Sequence, residues 1–465
     1  MLSERGKINH QKRNILFLLY LFISIQVTIL LFAERKGSVV ADIISLITYA
    51  FMIILIYYYE SEILLKYLWL IIISVWGIVA VFMLENGSVL LRGKHSIHQG
   101  SFPVYCFGWL LFWATILWKE ISRKVKLSNK SIYVNYREID VPKSDIQVLK
   151  TISYIAIIWT SICFLSVINR PYFLYRIDRF QYRQNLMPWI VSGSMTILYA
   201  LLPIPIMLRK ENKKIPIIYC SIFVLLNVWC GEKFTGLIVI FYFIVLSINP
   251  SYVTRQVSKY IKKILVVVGI TVCILLIVVG VQQLTLGMSI DNIGNYFKDR
   301  IAAQGELWWL MYSEDVDAGM HFNELDDEID ILIHQPEGEM SDYYFGIYKL
   351  MKLFMNPEWV TYALANGVRA TESTRATFFY YGKMPGLIIG QFLLALLLYF
   401  IVNKVIEVCN KRNWIHACLY IHVLRIAITT AIMSDFQLLT TKRITAVYLM
   451  ILLTSKVKFV FWKKI

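Results

Sequence analysis

Four arginines stand between Asn169 and Met187, namely Arg170, Arg176, Arg179 and Arg183, with one acid, Asp178, and no lysine. Arg176, Arg179 and Arg183 are spaced i, i+3, i+7, which places them on one face if the segment is helical. Tyr172, Phe173, Tyr175, Phe180 and Tyr182 interleave with them. A planar guanidinium donates two parallel hydrogen bonds to a phosphate, so the pattern fits a charged shelf for an anion on an aromatic base. Two competing readings stand beside it. The arginines would equally snorkel to lipid headgroups, or, with the local topology inverted, belong to an ordinary cytoplasmic loop.

Lys233 lies in Gly231-Glu232-Lys233-Phe234-Thr235-Gly236, where it opens a hydrophobic run. A lysine beside the free N–H groups of a helix start makes an anion site, and it makes an interfacial anchor just as readily. Further on, Arg300, Gln304 and Trp308 recur every fourth residue, which lines them along a single helix face. An arginine for phosphate, an amide for hydroxyls and an indole for a sugar ring would together hold a sugar phosphate. The pair Trp308 and Trp309 also fits an aromatic belt. Glu306 points away from Arg300 on such a helix.

Arg369 and Arg375, with Glu372 between them, precede another hydrophobic run and would complete an anion pocket; their spacing also suits a solvated helix. His321 and His334 are the histidines of the long polar segment, each a candidate general base or a solvated side chain. Glu306, His321 and Glu372 are the candidates for a base. The run Glu324, Asp326, Asp327, Glu328 and Asp330 lacks the glycine and ligand order of a calcium loop and reads as a solvated acidic face. There is no metal-type Cys/His spacing, and no metal or cofactor is expected.

The elements that must position these residues are membrane helices. The chain has 465 residues, of which 58% are hydrophobic, too much apolar surface for a soluble domain of this length. The apolar runs are continuous rather than alternating, so the spans are helices and not barrel strands. Twelve spans are expected, near 14–32, 39–59, 64–84, 101–118, 147–168, 188–207, 215–230, 234–249, 264–286, 384–403, 414–433 and 443–457. The seventh and eighth are short, and the turn at Gly231 makes them a tight hairpin or a broken helix. The first run is too long for a signal-peptide core and lacks a small-residue cleavage site. The spans read as nearly charge-free. The fold class is an all-α polytopic membrane protein in three parts: 1–286 with about nine spans, a long polar loop 287–383, and 384–465 with about three.

Charge orients the bundle. The net charge is +16, from 47 Lys+Arg against 31 Asp+Glu, and the excess lies in short loops and at the termini. That distribution puts both termini and the basic loops in the cytoplasm, and it excludes nucleic acid as the partner. The loop 169–187 and the segment 287–383 then face outward. The latter is acidic, with 16 Asp+Glu against 7 Lys+Arg, and its amphipathic stretches predict helices lying over the membrane surface. Six of the seven cysteines fall in hydrophobic runs and Cys409 in a basic loop, which excludes a disulfide framework.

With about a dozen spans, an arginine-bearing external loop near mid-chain and a long external loop before the last spans, the chain resembles the O-antigen polymerase (Wzy-type) family of oligosaccharide repeat-unit polymerases. The motif-like matches are Gly231 to Gly236 opening a span, and Arg300 with Gln304-Gly305 and the tryptophans. It is also similar to the O-antigen ligase family, in which external basic residues hold a diphosphate. The resemblance implies a bacterial inner-membrane glycosyltransferase with a metal-independent mechanism. Its substrates would be undecaprenyl-diphosphate-linked glycans, and its other partners membrane lipids and, optionally, a chain-length regulator. By the ligase analogy Lys233 and Arg300 would bind phosphate. Taken with the residue patterns above, charge-stabilising roles are expected of Arg300, Arg176 and Lys233, and substrate contacts of Arg179, Arg183, Gln304, Trp308, Arg369 and Arg375. An O-antigen ligase or other polyprenyl-linked glycosyltransferase, and a lipid-linked oligosaccharide flippase, are the alternatives.

Overall fold

The structure, a computed structural model, describes residues 18–30, 38–59, 61–87, 99–128, 143–175, 177, 179–232, 234–247, 266, 269, 273–274, 276–326, 329, 346–365, 368–370 and 373–456. All regular elements among them are helical. Eight helices are long and apolar enough to cross a membrane: Val39–Tyr58, Leu68–Glu85, Ser101–Trp118, Asp145–Leu174, Trp189–Met207, Ser373–Asn410, Trp414–Met433 and Phe436–Thr454. Each coincides with an expected span, and the chain is a helical membrane protein. Shorter apolar helices, Leu18–Leu30, Lys214–Trp229, Gly236–Ser247 and Leu276–Thr285, fall on the other four expected positions. At 1.5 Å per residue a 16-residue helix reaches about 24 Å, short of the roughly 30 Å hydrocarbon layer.

Two compact units divide the chain: residues 1–122, 294–396 and 431–435 form the first, and residues 123–293, 397–430 and 436–465 the second. The core of the first unit gathers Ile78, Val81 and Leu84 from Leu68–Glu85, Tyr105 from Ser101–Cys106, and Trp308, Met311 and Tyr312 from Glu306–Asp315. Here the structure departs from the surface helices expected of the long polar segment. Every side chain from Glu306 to Tyr312 is buried. A helix that is apolar on all faces belongs inside, and Leu307-Trp308-Trp309-Leu310-Met311 is such a run. Gly305 permits the close approach, because a Cβ there would lie 2.9 Å from the Val81 backbone nitrogen.

Glu85 ties two membrane segments of this unit together. It ends the helix Leu68–Glu85, is 2% exposed, and faces the start of Ser101–Cys106. Its carboxylate accepts from the backbone N–H groups of Gln99 at 2.7 Å, Gly100 at 3.3 Å and Ser101 at 2.8 Å, and from the Ser101 hydroxyl. Gly100 turns the chain into this nest with φ of 78°. A carboxylate this deep survives because it is fully solvated by donors.

In the second unit one face of Lys143–Val167 carries Ser153, Ala156, Thr160, Cys163 and Val167, all buried, at helical spacing. These small residues let Lys214–Trp229 pack closely, with Tyr219, Phe223 and Leu226 filling the seam. The opposite face exposes Ile155, Ile158, Ile162 and Leu165, as a lipid-facing stripe would. Cys409, expected in a loop, is buried within Ser373–Asn410.

Replacing Glu85 by alanine would leave three buried N–H groups without their acceptor. We expect a loss on the order of 2–4 kcal/mol, read as a lower midpoint of thermal unfolding in detergent micelles. Glu85→Gln should lose less, and an alanine variant melting with the parent would refute the tie.

Candidate functional site

In the second unit, functional side chains collect around the turn that joins Lys214–Trp229 to Phe234–Ser247. Gly231 makes this turn with φ of 76° and lies against the Tyr172 ring, where a Cβ would come 2.7 Å from Cγ. Tyr172 packs edge-on to Tyr182 at 5.6 Å, and Tyr175 lies 6.0 Å from Tyr182. Phe173 meets Trp229 at 5.4 Å. The Tyr182 hydroxyl donates to the Arg170 carbonyl at 2.6 Å, and Gln282 donates to the Tyr172 hydroxyl. Tyr172, Phe173, Tyr175 and Tyr182 of the arginine loop thus pack together and seat the loop on the Gly231 turn.

The turn carries Glu232, and Arg183 binds it through Nη2 to Oε2 at 2.5 Å. Burial works against the Arg183 charge, but the Glu232 carboxylate beside it outweighs that and holds its pKa above the ordinary value. Behind the pair, the Tyr199 hydroxyl donates to Asn227 Oδ1 at 3.0 Å, and Asn227 donates to the Phe223 carbonyl at 2.7 Å. Arg425, from Trp414–Met433, sets its guanidinium over the Tyr199 ring at 5.1 Å and reaches Thr196 Oγ1 at 3.5 Å. The Glu232 charge acts on Tyr199 and on Arg425 as well as on Arg183. One carboxylate is therefore paired with Arg183, and its charge reaches Tyr199 and Arg425.

The expected arginine shelf is only partly described. The helix of the loop is Arg179–Asn185, so it starts after Arg176. Arg176 and Lys233 lie outside the described residues, as does the Arg179 side chain. Arg425 was in plain view as a guanidinium inside an apolar run, and the reading of nearly charge-free spans passed over it. Asp42, fully buried within Val39–Tyr59, was passed over in the same way.

A second polar cluster occupies the first unit. Lys383 binds the Asp315 carboxylate and its backbone carbonyl. His321 bridges Asp315, 2.8 Å from Nε2, and Glu324, 3.1 Å from Nδ1, with its ring stacked on Tyr380 at 4.2 Å. The Tyr380 hydroxyl donates to Glu324 at 3.0 Å, and Lys349 lies 2.6 Å from the same carboxylate. Lys383 gets its reach from a break in Ser373–Asn410, where Gly382 and Lys383 leave the helix and Lys383 has φ of 49°. A left-handed conformation at a non-glycine residue costs on the order of 1–3 kcal/mol, which the ion pair helps to offset. Both ring nitrogens of His321, a candidate base, are thus engaged by carboxylates. Glu306 is fully buried, and Glu372 and His334 lie outside the described residues.

The other expected contacts do not converge. Arg300, Gln304 and Trp308 do not share a helix, because the chain turns at Ala303–Gly305 between Ile290–Ala302 and Glu306–Asp315. Gln304 donates to the Arg300 carbonyl at 3.1 Å. Trp308 is 1% exposed and packs on Tyr105, Tyr312 and Phe379, so it serves the core and offers no face to a sugar. Arg369 pairs with Asp435 at 2.7 Å. Arg375 is buried, donating to the Tyr105 carbonyl at 2.6 Å and to Ser74 at 3.2 Å while stacking on the Tyr105 ring. Comparison with protein-family models, with curated proteins and with solved structures finds no match for this chain.

The cluster around Glu324 makes a pH prediction. Burial raises its carboxyl pKa, but hydrogen bonds from Lys349 and Tyr380, with the charges of Lys349 and His321, outweigh that and hold it below the ordinary carboxylate value. A depressed folded pKa stabilises the fold above the unfolded value, about 4.3, and the contribution disappears as pH falls through the folded value. Unfolding midpoints measured from pH 7 to pH 3 should fall at the acid end, and Glu324→Gln should flatten that fall. An identical acid limb in the variant would contradict it.

Proposed function

We propose that this protein polymerises undecaprenyl-diphosphate-linked oligosaccharide repeat units on the outer face of the bacterial inner membrane, as a twelve-span glycosyltransferase with both termini in the cytoplasm. The observation that carries the reading is the pairing of an arginine-rich loop with further cationic groups in the same unit. Arg183 pairs with Glu232 at the turn that also bears Lys233, and Arg425 lies over Tyr199, behind that pair. Four arginines outside the positive-inside pattern call for an anion, and a lipid diphosphate supplies one at headgroup depth.

In the reaction, a hydroxyl oxygen of the incoming lipid-linked unit attacks the anomeric carbon of the growing chain. The new C–O bond forms as the bond from that carbon to the diphosphate breaks. The electron pair leaves on undecaprenyl diphosphate, and the hydroxyl proton passes to a base. Guanidinium and ammonium groups stabilise the charge that builds on the leaving diphosphate. Confinement of both substrates to one membrane plane supplies much of their orientation.

A transporter of lipid-linked oligosaccharide is the second reading, and buried charges favour it. Asp42 and Arg425 lie within candidate spans, where ionisable groups commonly mark a transport path. The long polar segment favours the enzyme. Lipopolysaccharide gels of a deletion strain separate the two. The polymerase reading predicts lipopolysaccharide capped with one repeat unit, and complete loss of O-antigen would contradict it. In complementation, Arg176→Ala, Lys233→Ala and Arg300→Ala should each fail to restore the full ladder. Three full-length ladders would overturn the assigned roles.

A further inference from the structure

In the second unit one guanidinium lies at the Gly231 turn and another over Tyr199, and among the described residues only the first has a carboxylate against it. Arg183 is neutralised by Glu232 at 2.5 Å. Arg425 lies near the middle of Trp414–Met433, where its contacts are a long one to the Thr196 hydroxyl and the face of the Tyr199 ring. Among the described residues no carboxylate is within ion-pair distance of Arg425. The titratable groups whose fields reach it are Tyr199 and Glu232, with His422 one turn earlier on its own helix. Among the described residues Glu232 is thus the carboxylate whose charge reaches both guanidinium groups.

An uncompensated guanidinium inside an apolar span is costly by several kcal/mol, and such residues are retained where a ligand or partner supplies the missing charge. A guanidinium has five N–H donors in a planar fork, far more than one hydroxyl and one ring face engage. The complement of an unengaged fork is a tetrahedral oxyanion. Thr196, which Arg425 reaches, is exposed on the helix Trp189–Leu201.

We propose that Arg425 holds a phosphate-type anion, and that Glu232 is a built-in counter-anion with which that ligand competes for the two arginines. The ligand class rests on the lipid-diphosphate reading above. The choice of Arg425 over Arg183 as the principal contact rests on the carboxylate that Arg183 has at 2.5 Å and that Arg425, among the described residues, has not. Glu232 then offsets part of the positive charge and sets a ceiling on affinity, which favours release of a spent carrier.

Binding to the full chain in nanodiscs of zwitterionic lipid tests this, with undecaprenyl diphosphate in the bilayer and inorganic pyrophosphate in the buffer as two separate probes. The parent should bind, Arg425→Gln should weaken binding about tenfold or more, Arg425→Lys less, and Glu232→Gln should tighten it several-fold. Binding of the lipid probe alone means that the anion arrives through the membrane; equal binding of pyrophosphate means that the oxyanion suffices, and either supports the site. Arg425→Gln binding like the parent overturns the proposal while leaving the polymerase reading in place. A parent that binds neither probe overturns both. If Arg425→Gln does not fold, Glu232→Gln decides the matter, since unchanged or weaker binding by that variant is incompatible with a competing counter-anion.

Discussion

A charge withdrawn from water must meet a partner, and the polar parts of this chain are organised by that constraint. Its solutions differ from place to place. Glu85 is surrounded by backbone N–H groups and a hydroxyl. Asp315 has Lys383 and His321. Arg375 lies on a carbonyl and an aromatic face. Arg183 has Glu232, and that pair fixes the arginine loop to the turn between two helices. Several of these solutions also join separate helices, so neutralising charge and assembling the helices go together. Among the described residues of the second unit, Arg425 is the guanidinium without a carboxylate in ion-pair distance, which is why the proposed ligand site is drawn there.

Much of the architecture was legible in the sequence because membrane insertion depends on local quantities. The length and apolarity of a run decide whether it spans, and all eight long apolar helices fall where such runs were expected. The Gly231 turn was legible too, since a glycine between two short apolar runs marks a reversal of the chain. The interleaving of Tyr172, Phe173, Tyr175 and Tyr182 with the arginines pointed to the aromatic packing that seats the loop.

What was not legible depends on tertiary neighbours. A four-residue spacing placed Arg300, Gln304 and Trp308 on one face, but Gly305 ends that continuity and turns the tryptophans into the core. Spacing cannot reveal that a buried surface nearby, at Val81, demands the glycine. Arg369 and Arg375 read as a pair aimed at one ligand, whereas each is held by a different part of its own unit. Lys383 fell on the expected boundary between the loop 287–383 and the span 384–403, but spacing could not show that a break there would bring it to Asp315.

The central claim is that a cationic loop and the long acidic segment face outward, where a lipid diphosphate can be gripped from the outer leaflet. Fusions of a reporter active only outside the cytoplasm, made after Asn185 and after Met320, measure this most directly. Activity of both fusions, with a silent fusion after Lys456, is the predicted result. Silence after Asn185 and Met320 would place the arginines inside the cell and contradict the account.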